Sequence, residues 1–113
     1  MHEKHQVEKI VQEAIVLAAA KNATGVRKVW LVIGDLLGFD EMSVRMYFEL
    51  MAESTILEGA ELEIVWARGQ LNCPACEKNF EKKGSDLNCP DCGKQGTPTE
   101  IGKEFYIEDI ETE

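Results

Sequence analysis

The 113-residue sequence predicts an α+β (mixed α/β) fold, in which a small sheet of about three strands packs against two helices. Two segments repeat apolar residues at helical spacing, and three short segments are typical of strands. All four cysteines fall between Cys73 and Cys92, which predicts an inserted cysteine-rich domain. We therefore expect two domains: residues 1–68 with 100–113 form the α/β domain, and residues 69–99 form the inserted domain.

The first half of the chain predicts a helix followed by a strand. The helix starts near Glu3 and ends near Asn22, and it carries its apolar residues on one face. The segment from Val26 to Ile33 is rich in β-branched and aromatic residues, which predicts a strand buried on both faces toward its end. A turn is expected from Gly34 to Gly38.

A second helix and two more strands follow. Asp40 is the expected N-cap of the second helix, because its carboxylate can accept a hydrogen bond from an unpaired backbone N–H. Gly59 is the expected end of this helix. The alternating segment from Glu61 to Trp66 predicts a half-buried strand, and the segment from Phe105 to Ile110 predicts a third. The third strand should return to the first sheet, because alone it would have nothing to pair with.

The charge distribution excludes several classes of function. Residues 1–68 carry −4, residues 69–99 are neutral and residues 100–113 carry −5, which together give −9. This acidity counts against a nucleic-acid-binding protein, because Lys and Arg make most phosphate contacts. It indicates a solvated face, or alternatively a surface that meets a basic partner or attracts cations. The longest apolar run, Ala14 to Ala20, is too short to span a membrane, and the polar first ten residues are unlike a secretory signal. We expect a cytoplasmic protein.

The cysteines form two C-P-x-C pairs, Cys73 with Cys76 and Cys89 with Cys92. Four thiolates at this spacing are typical of a closed, tetrahedral zinc site, and iron is the alternative metal. Gly93 permits a left-handed backbone directly after the last cysteine. Because a segment this short cannot bury a sufficient core, we expect zinc to fold the domain and not to react.

The amino terminus is a second candidate metal site. The two histidines of the chain, His2 and His5, both lie within its first five residues. The amine of Met1 with the amide nitrogen and imidazole of His2 can chelate one metal, and this set favours square-planar Ni(II) or Cu(II) over Zn(II). Glu3 and His5 are close enough to complete or regulate the coordination sphere. Position alone is a weak signal, since a histidine on a frayed terminus is usually only solvated.

Several motifs together resemble the HypA/HybF family, the nickel metallochaperones of nickel–iron hydrogenase maturation. They are the Met1-His2-Glu3 start with its amphipathic helix, the V-W-L-V-I-G strand, Phe39-Asp40, L-E-I-V, and the two C-P-x-C pairs with a following glycine. The resemblance covers essentially the whole chain in order. The cysteine motif alone is generic, but its combination with this terminus and this order of elements is specific.

The resemblance implies a non-enzymatic chaperone that carries Ni(II) as cargo at Met1, His2 and Glu3, with Asp40 near the site. It also implies zinc at the four cysteines. The implied partners are the accessory GTPase HypB and the hydrogenase large subunit precursor, and some family members also serve urease maturation.

The chain departs from the family pattern at residues 4 and 5. The family commonly has a large apolar or aromatic residue followed by Ser, whereas this chain has Lys4 and His5. His5 is therefore a further candidate nickel ligand. The alternative function is a structural zinc-ribbon interaction module without nickel binding. A homodimer, through an edge strand or by domain swapping, also stays open.

Overall fold

A computed structural model describes residues 2–113, with side chains for residues 3–113. The elements in chain order are α1 (His2–Ala20), β1 (Val26–Gly34), a 3-10 turn (Asp35–Leu37), α2 (Glu41–Ala52), β2 (Glu61–Ala67), β3 (Gln70–Cys73), β4 (Lys78–Glu81), β5 (Thr97–Pro98) and β6 (Phe105–Thr112). The chain divides into two compact units. Residues 2–32, 39–65 and 105–113 belong to the first unit, and residues 33–38 and 66–104 belong to the second.

The first unit is built on the two helices and a three-stranded sheet in the order β2-β1-β6. Helix α1 buries apolar residues spaced three and four apart, because these positions share one face of a helix: Val7, Ile10, Val11, Ala14 and Ala18. Helix α2 buries one similar stripe, which consists of Val44, Phe48 and Ala52. Strand β1 lies between the other two strands, and its last four residues are all buried. The predicted burial of this strand is confirmed.

The second unit contains a small antiparallel sheet in the order β4-β3-β5. Strand β3 pairs with β4 from Gln70 opposite Glu81 to Cys73 opposite Lys78. The buried cluster of this unit contains Leu71 and Phe80 together with two of the cysteines, Cys73 and Cys89. Two of the four buried residues are therefore candidate metal ligands, so the packing of this small core depends on the geometry of the cysteine site.

The predicted fold class is confirmed: the chain combines two helices with two small sheets. Strand β6 returns to the sheet that contains β1, as the sequence predicts, and each predicted strand extends by one or two residues. Within residues 2–113, no helix has the length and apolarity needed to cross a bilayer.

The expected end of α2 at Gly59 is wrong, because the helix ends at Ala52. The C-cap residue Glu53 leaves the helical region with ψ of 135°, and Ser54 then adopts a left-handed backbone with φ of 63°. The freed backbone groups find local partners: Ser54 N donates to Glu58 Oε1 at 2.7 Å, and Thr55 Oγ1 donates to Ala52 O at 2.6 Å. The side chains of Thr55 and Glu58 therefore offer the backbone an alternative to the helix seven residues before the glycine.

Candidate metal centres

The four cysteine sulfurs converge on one point. Their Sγ atoms all lie within 4.8 Å of one another. The Sγ atoms of Cys73 and Cys92 are 3.5 Å apart, and those of Cys76 and Cys89 are 4.0 Å apart. A tetrahedral ion with metal–sulfur bonds of about 2.3 Å requires sulfurs separated by about 3.8 Å. The donor set therefore fits a tetrahedral metal ion without rearrangement of the fold.

Two similar turns present these sulfurs. In the first, Glu77 N donates to Cys73 O at 2.8 Å, and Glu77 is left-handed with φ of 53°. In the second, Gly93 N donates to Cys89 O at 2.8 Å, and Gly93 has φ of 77°. The left-handed Gly93 confirms the sequence-based prediction. In the first turn the backbone N–H of Cys76 also points at the sulfur of Cys73, 3.4 Å away.

Hydrogen bonds at the sulfurs shift the pKa values of two of the thiols in opposite directions. Hydrogen bonding with Cys92 and Cys73 raises the pKa of Cys76 to about 12. The pKa of Cys89 is lowered, chiefly because the backbone N–H of Cys92 donates to its sulfur. Four thiolates this close would repel one another in the absence of a cation. A bound divalent ion would displace the proton of Cys76 and stabilise the thiolates.

At the amino terminus, Met1 lies outside the described residues, as does the side chain of His2. The next predicted nickel ligand, Glu3, accepts a hydrogen bond from Asp40 N through its Oε2 atom at 2.6 Å. Two of the predicted site residues, 37 positions apart in the sequence, are therefore neighbours in the fold. His5 lies exposed in the first turns of α1.

Asp40 holds the start of α2. Its Oδ2 atom accepts hydrogen bonds from Ser43 N and Ser43 Oγ, both at 3.0 Å. The predicted N-cap is confirmed. Ser43, which donates both of these hydrogen bonds to the Asp40 carboxylate, is not among the residues predicted from the sequence. Its spacing of three residues from the N-cap is the signal that could have found it, because this is the position whose backbone N–H meets a capping side chain.

Comparisons with known proteins agree with this architecture. The family model described as "Hydrogenase/urease nickel incorporation, metallochaperone, hypA" matches residues 1–112. A hydrogenase maturation factor HypA from Caldanaerobacter subterraneus subsp. tengcongensis is 40% identical over 114 residues, which is 100% of both chains. The factor of the same name from Azotobacter vinelandii is 34% identical over 113 residues, again 100% of both.

A solved structure of similar fold comes from Helicobacter pylori, where the protein is described as the Ni metallochaperone HypA. It matches with a TM-score of 0.55 and 24% identity, and the match covers 93% of this chain and 95% of that one. A second HypA solution structure matches with a TM-score of 0.59 and 25% identity over 92% of each chain. With the family model and full-length relatives above 30% identity, the chain belongs to the HypA family of hydrogenase/urease nickel incorporation metallochaperones.

Proposed function

We propose that this protein binds Ni(II) as cargo at its amino terminus and delivers it for hydrogenase maturation. The proposed ligands are the amine of Met1, the amide nitrogen and imidazole of His2, and the adjacent Glu3. His5 and Asp40 are further candidate ligands. The site is a carrier and not a catalytic centre, since its task is to bind and release an ion.

The hydrogen bond from Asp40 N to Glu3 Oε2 carries this proposal. It joins the backbone of Asp40 to the carboxylate of Glu3 in the first turn of α1, so a second acidic residue neighbours this proposed ligand. Two acidic side chains at this place favour a divalent cation. Lys4 and His5 at the start of α1 are exposed, which suits transfer, because ligands there can be exchanged one at a time without opening the core.

For the four cysteines we propose a structural zinc ion that organises residues 69–99, and for residues 1–68 with 100–113 we propose the nickel-binding domain. A closed set of four thiolates leaves no open position for a substrate, which is typical of structural zinc. The transported nickel and the structural zinc would therefore bind to different sets of ligands.

The partners that we propose are the accessory GTPase HypB and the hydrogenase large subunit precursor, and the place of action is the cytoplasm. The family description includes both hydrogenase and urease, which supports a nickel enzyme as the final client. A structural zinc-ribbon module without nickel binding is the competing function, and a nickel titration separates the two.

Adding three glycines ahead of Met1 tests the proposed chelate. The extension moves the free amine four residues away from His2, too far for the amine and the imidazole to share one set of fused chelate rings. We expect isothermal titration calorimetry to show nickel affinity at least about tenfold weaker. Even the loss of a group that only supports a metal ligand lowers metal affinity by about tenfold or more, and here a ligand itself is lost.

The matched control carries the same three glycines after Glu113, and its nickel affinity should equal that of the unchanged chain. Equal affinity in the amino-terminally extended protein would exclude the amine as a ligand. Absence of nickel binding in the unchanged chain would favour the zinc-ribbon alternative.

A further inference from the structure

Helix α2 has a second apolar face that the core does not use. Met42, Met46 and Leu50 have exposed fractions of 79%, 50% and 57%. They follow one another at intervals of four residues and therefore form one stripe along the helix. Each lies two positions before one of the buried residues of α2, which are Val44, Phe48 and Ala52. Because successive residues of a helix are rotated by about 100°, a separation of two positions places the exposed and buried stripes on nearly opposite sides of the helix. A helix with apolar residues on both sides is typical of one that is covered on both sides.

An acidic groove lies beside this exposed stripe. It has a volume of about 670 Å³, and α2 forms its wall together with the segment that leads into β2. Three carboxylates line it, those of Glu49, Glu53 and Glu58. Glu58 accepts a hydrogen bond from Ser54 N. Glu49 and Glu53 have no partner within the part of the chain that the structure describes, so both remain available to a cation.

The single cation of the groove lining, Arg45, is already engaged. Its Nε atom donates to Glu41 Oε2 at 3.1 Å, and a terminal guanidinium nitrogen donates to Leu62 O at 2.6 Å. Arg45 is thus held by α2 and by the backbone of β2, and it leaves Glu49 and Glu53 uncompensated. The groove therefore has a net negative charge next to an apolar stripe.

We propose that the stripe of Met42, Met46 and Leu50, with the acidic groove of Glu49 and Glu53, is a docking surface for a basic amphipathic helix of another protein. The apolar side of such a helix would cover the stripe, and its flanking Lys or Arg side chains would reach the two carboxylates. Methionine suits this role because its flexible thioether adapts to the partner's side chains. A second copy of this chain is a poor occupant, because it would bring like charges together in a protein of net charge −9.

This inference stands apart from nickel binding, because none of the residues of the surface is a proposed ligand. Its position is nonetheless useful to a carrier: the stripe begins at Met42, two residues after Asp40, whose backbone donates to Glu3. A partner bound along α2 would lie beside the candidate nickel site. The test below uses protein without nickel, so the docking surface and the nickel proposal can fail separately.

The probe is a fluorescently labelled synthetic helix with leucines at i, i+4 and i+7 and lysines beside them. Its binding to the full chain is measured by fluorescence anisotropy. We expect saturable binding that weakens at least about tenfold in the double variant Glu49→Lys/Glu53→Lys, because two charge pairs become repulsive. The matched control, Glu108→Lys/Glu111→Lys, makes the same change of charge on exposed residues of β6 and should weaken binding less than about twofold.

The apolar half of the surface is tested in the same assay. Met42→Ser/Met46→Ser should also weaken binding at least about tenfold, whereas Ile101→Ser, an exposed apolar residue of the second unit, should not. Circular dichroism shows whether each variant keeps its helices. A peptide with glutamate in place of lysine should not bind.

Four results would overturn the proposal. They are no saturable binding to the unchanged chain, equal binding of a peptide with scrambled order, equal weakening by the β6 control, and a dimer in sedimentation that Met42→Ser/Met46→Ser converts to a monomer. The last result would assign the stripe to a second copy of this chain.

Discussion

At the residue scale, Asp40 makes two kinds of contact: its carboxylate caps α2, and its backbone joins α2 to Glu3, a proposed nickel ligand. The carboxylate accepts two hydrogen bonds from Ser43, and the backbone N–H donates to Glu3. The capping role is local and could be predicted from the sequence, because an aspartate directly before a helical pattern is a known start signal. The bond to Glu3 could not, because it joins residues 37 positions apart and depends on how the two helices pack.

Substitution of Asp40 can separate these two roles. Asp40→Ala should lower the free energy of unfolding by about 1 kcal/mol, the usual cost of a lost N-cap, whereas Asp40→Ser should retain most of the stability. Urea unfolding followed by circular dichroism checks this order. Equal losses in both variants would contradict the capping role.

The same serine variant tests the carboxylate as a nickel contributor. Asp40→Ser keeps the cap and the backbone donor to Glu3 but removes the negative charge near the terminus. We expect about tenfold weaker nickel binding by calorimetry, a loss typical of groups that support a metal site. Unchanged affinity would remove Asp40 from the set of candidate ligands.

At the scale of elements, the two cysteine turns differ in one residue that matters for stability. Both place a left-handed residue after the second cysteine, Gly93 in one turn and Glu77 in the other. The sequence predicts this backbone for Gly93, since glycine adopts it freely. It does not predict it for Glu77, because a glutamate there has no such preference and only the cysteine geometry imposes the turn.

Substitutions at these two left-handed positions should therefore change the free energy of unfolding in opposite directions. Glu77→Gly should raise the free energy of unfolding by up to about 1 kcal/mol, and Gly93→Ala should lower it by about 1 kcal/mol, since a Cβ disfavours the left-handed region. Nothing lies within 4 Å of a Cβ built at Gly93, so the cost is one of backbone conformation. Thermal unfolding of the metal-loaded protein measures both, and a stabilising Gly93→Ala would contradict the assignment.

The end of α2 shows where local signals compete. The sequence contains two stop signals, the Ser54-Thr55 pair and Gly59, and the earlier one ends the helix. The glycine is the stronger signal in isolation. The serine–threonine pair prevails because Glu58 and Ala52 supply hydrogen-bond partners for it. Such partners depend on the folded turn and cannot be read from residue preferences alone.

At the scale of the whole molecule, the two units draw on different sources of stability. The first has a core of helix and strand residues, which the apolar periodicity predicts well. The second has a small core in which Cys73 and Cys89 are buried ligand candidates. Its strands have only two to four residues, too short for a strand pattern to be recognised, so the sequence predicts the metal site but not the sheet β4-β3-β5.

Loss of the proposed zinc should therefore unfold one unit and spare the other. Cys73→Ala removes a ligand and a buried side chain together, and we expect the signals of residues 69–99 to lose dispersion in a two-dimensional NMR spectrum. The signals of α1 and α2 should keep their positions. A folded second unit in this variant, or in chelator-treated protein, would contradict a structural role for the metal.

The metal affinity of the cysteine site should also fall as the pH falls. Cys76, with its pKa raised to about 12, is protonated without a metal at every physiological pH, so binding must displace at least this proton. Lower pH favours the thiol and higher pH favours the metal–thiolate bond. Competition with a chromophoric chelator at several pH values measures the slope, and a pH-independent affinity would contradict thiolate coordination.

Nickel titration of His2→Ala, with zinc content measured alongside, tests whether nickel binds at the amino terminus and separately from the cysteine site. We expect high-affinity nickel binding to disappear while one zinc per chain remains. Unchanged nickel affinity in this variant, or parallel loss of nickel and zinc, would contradict this expectation.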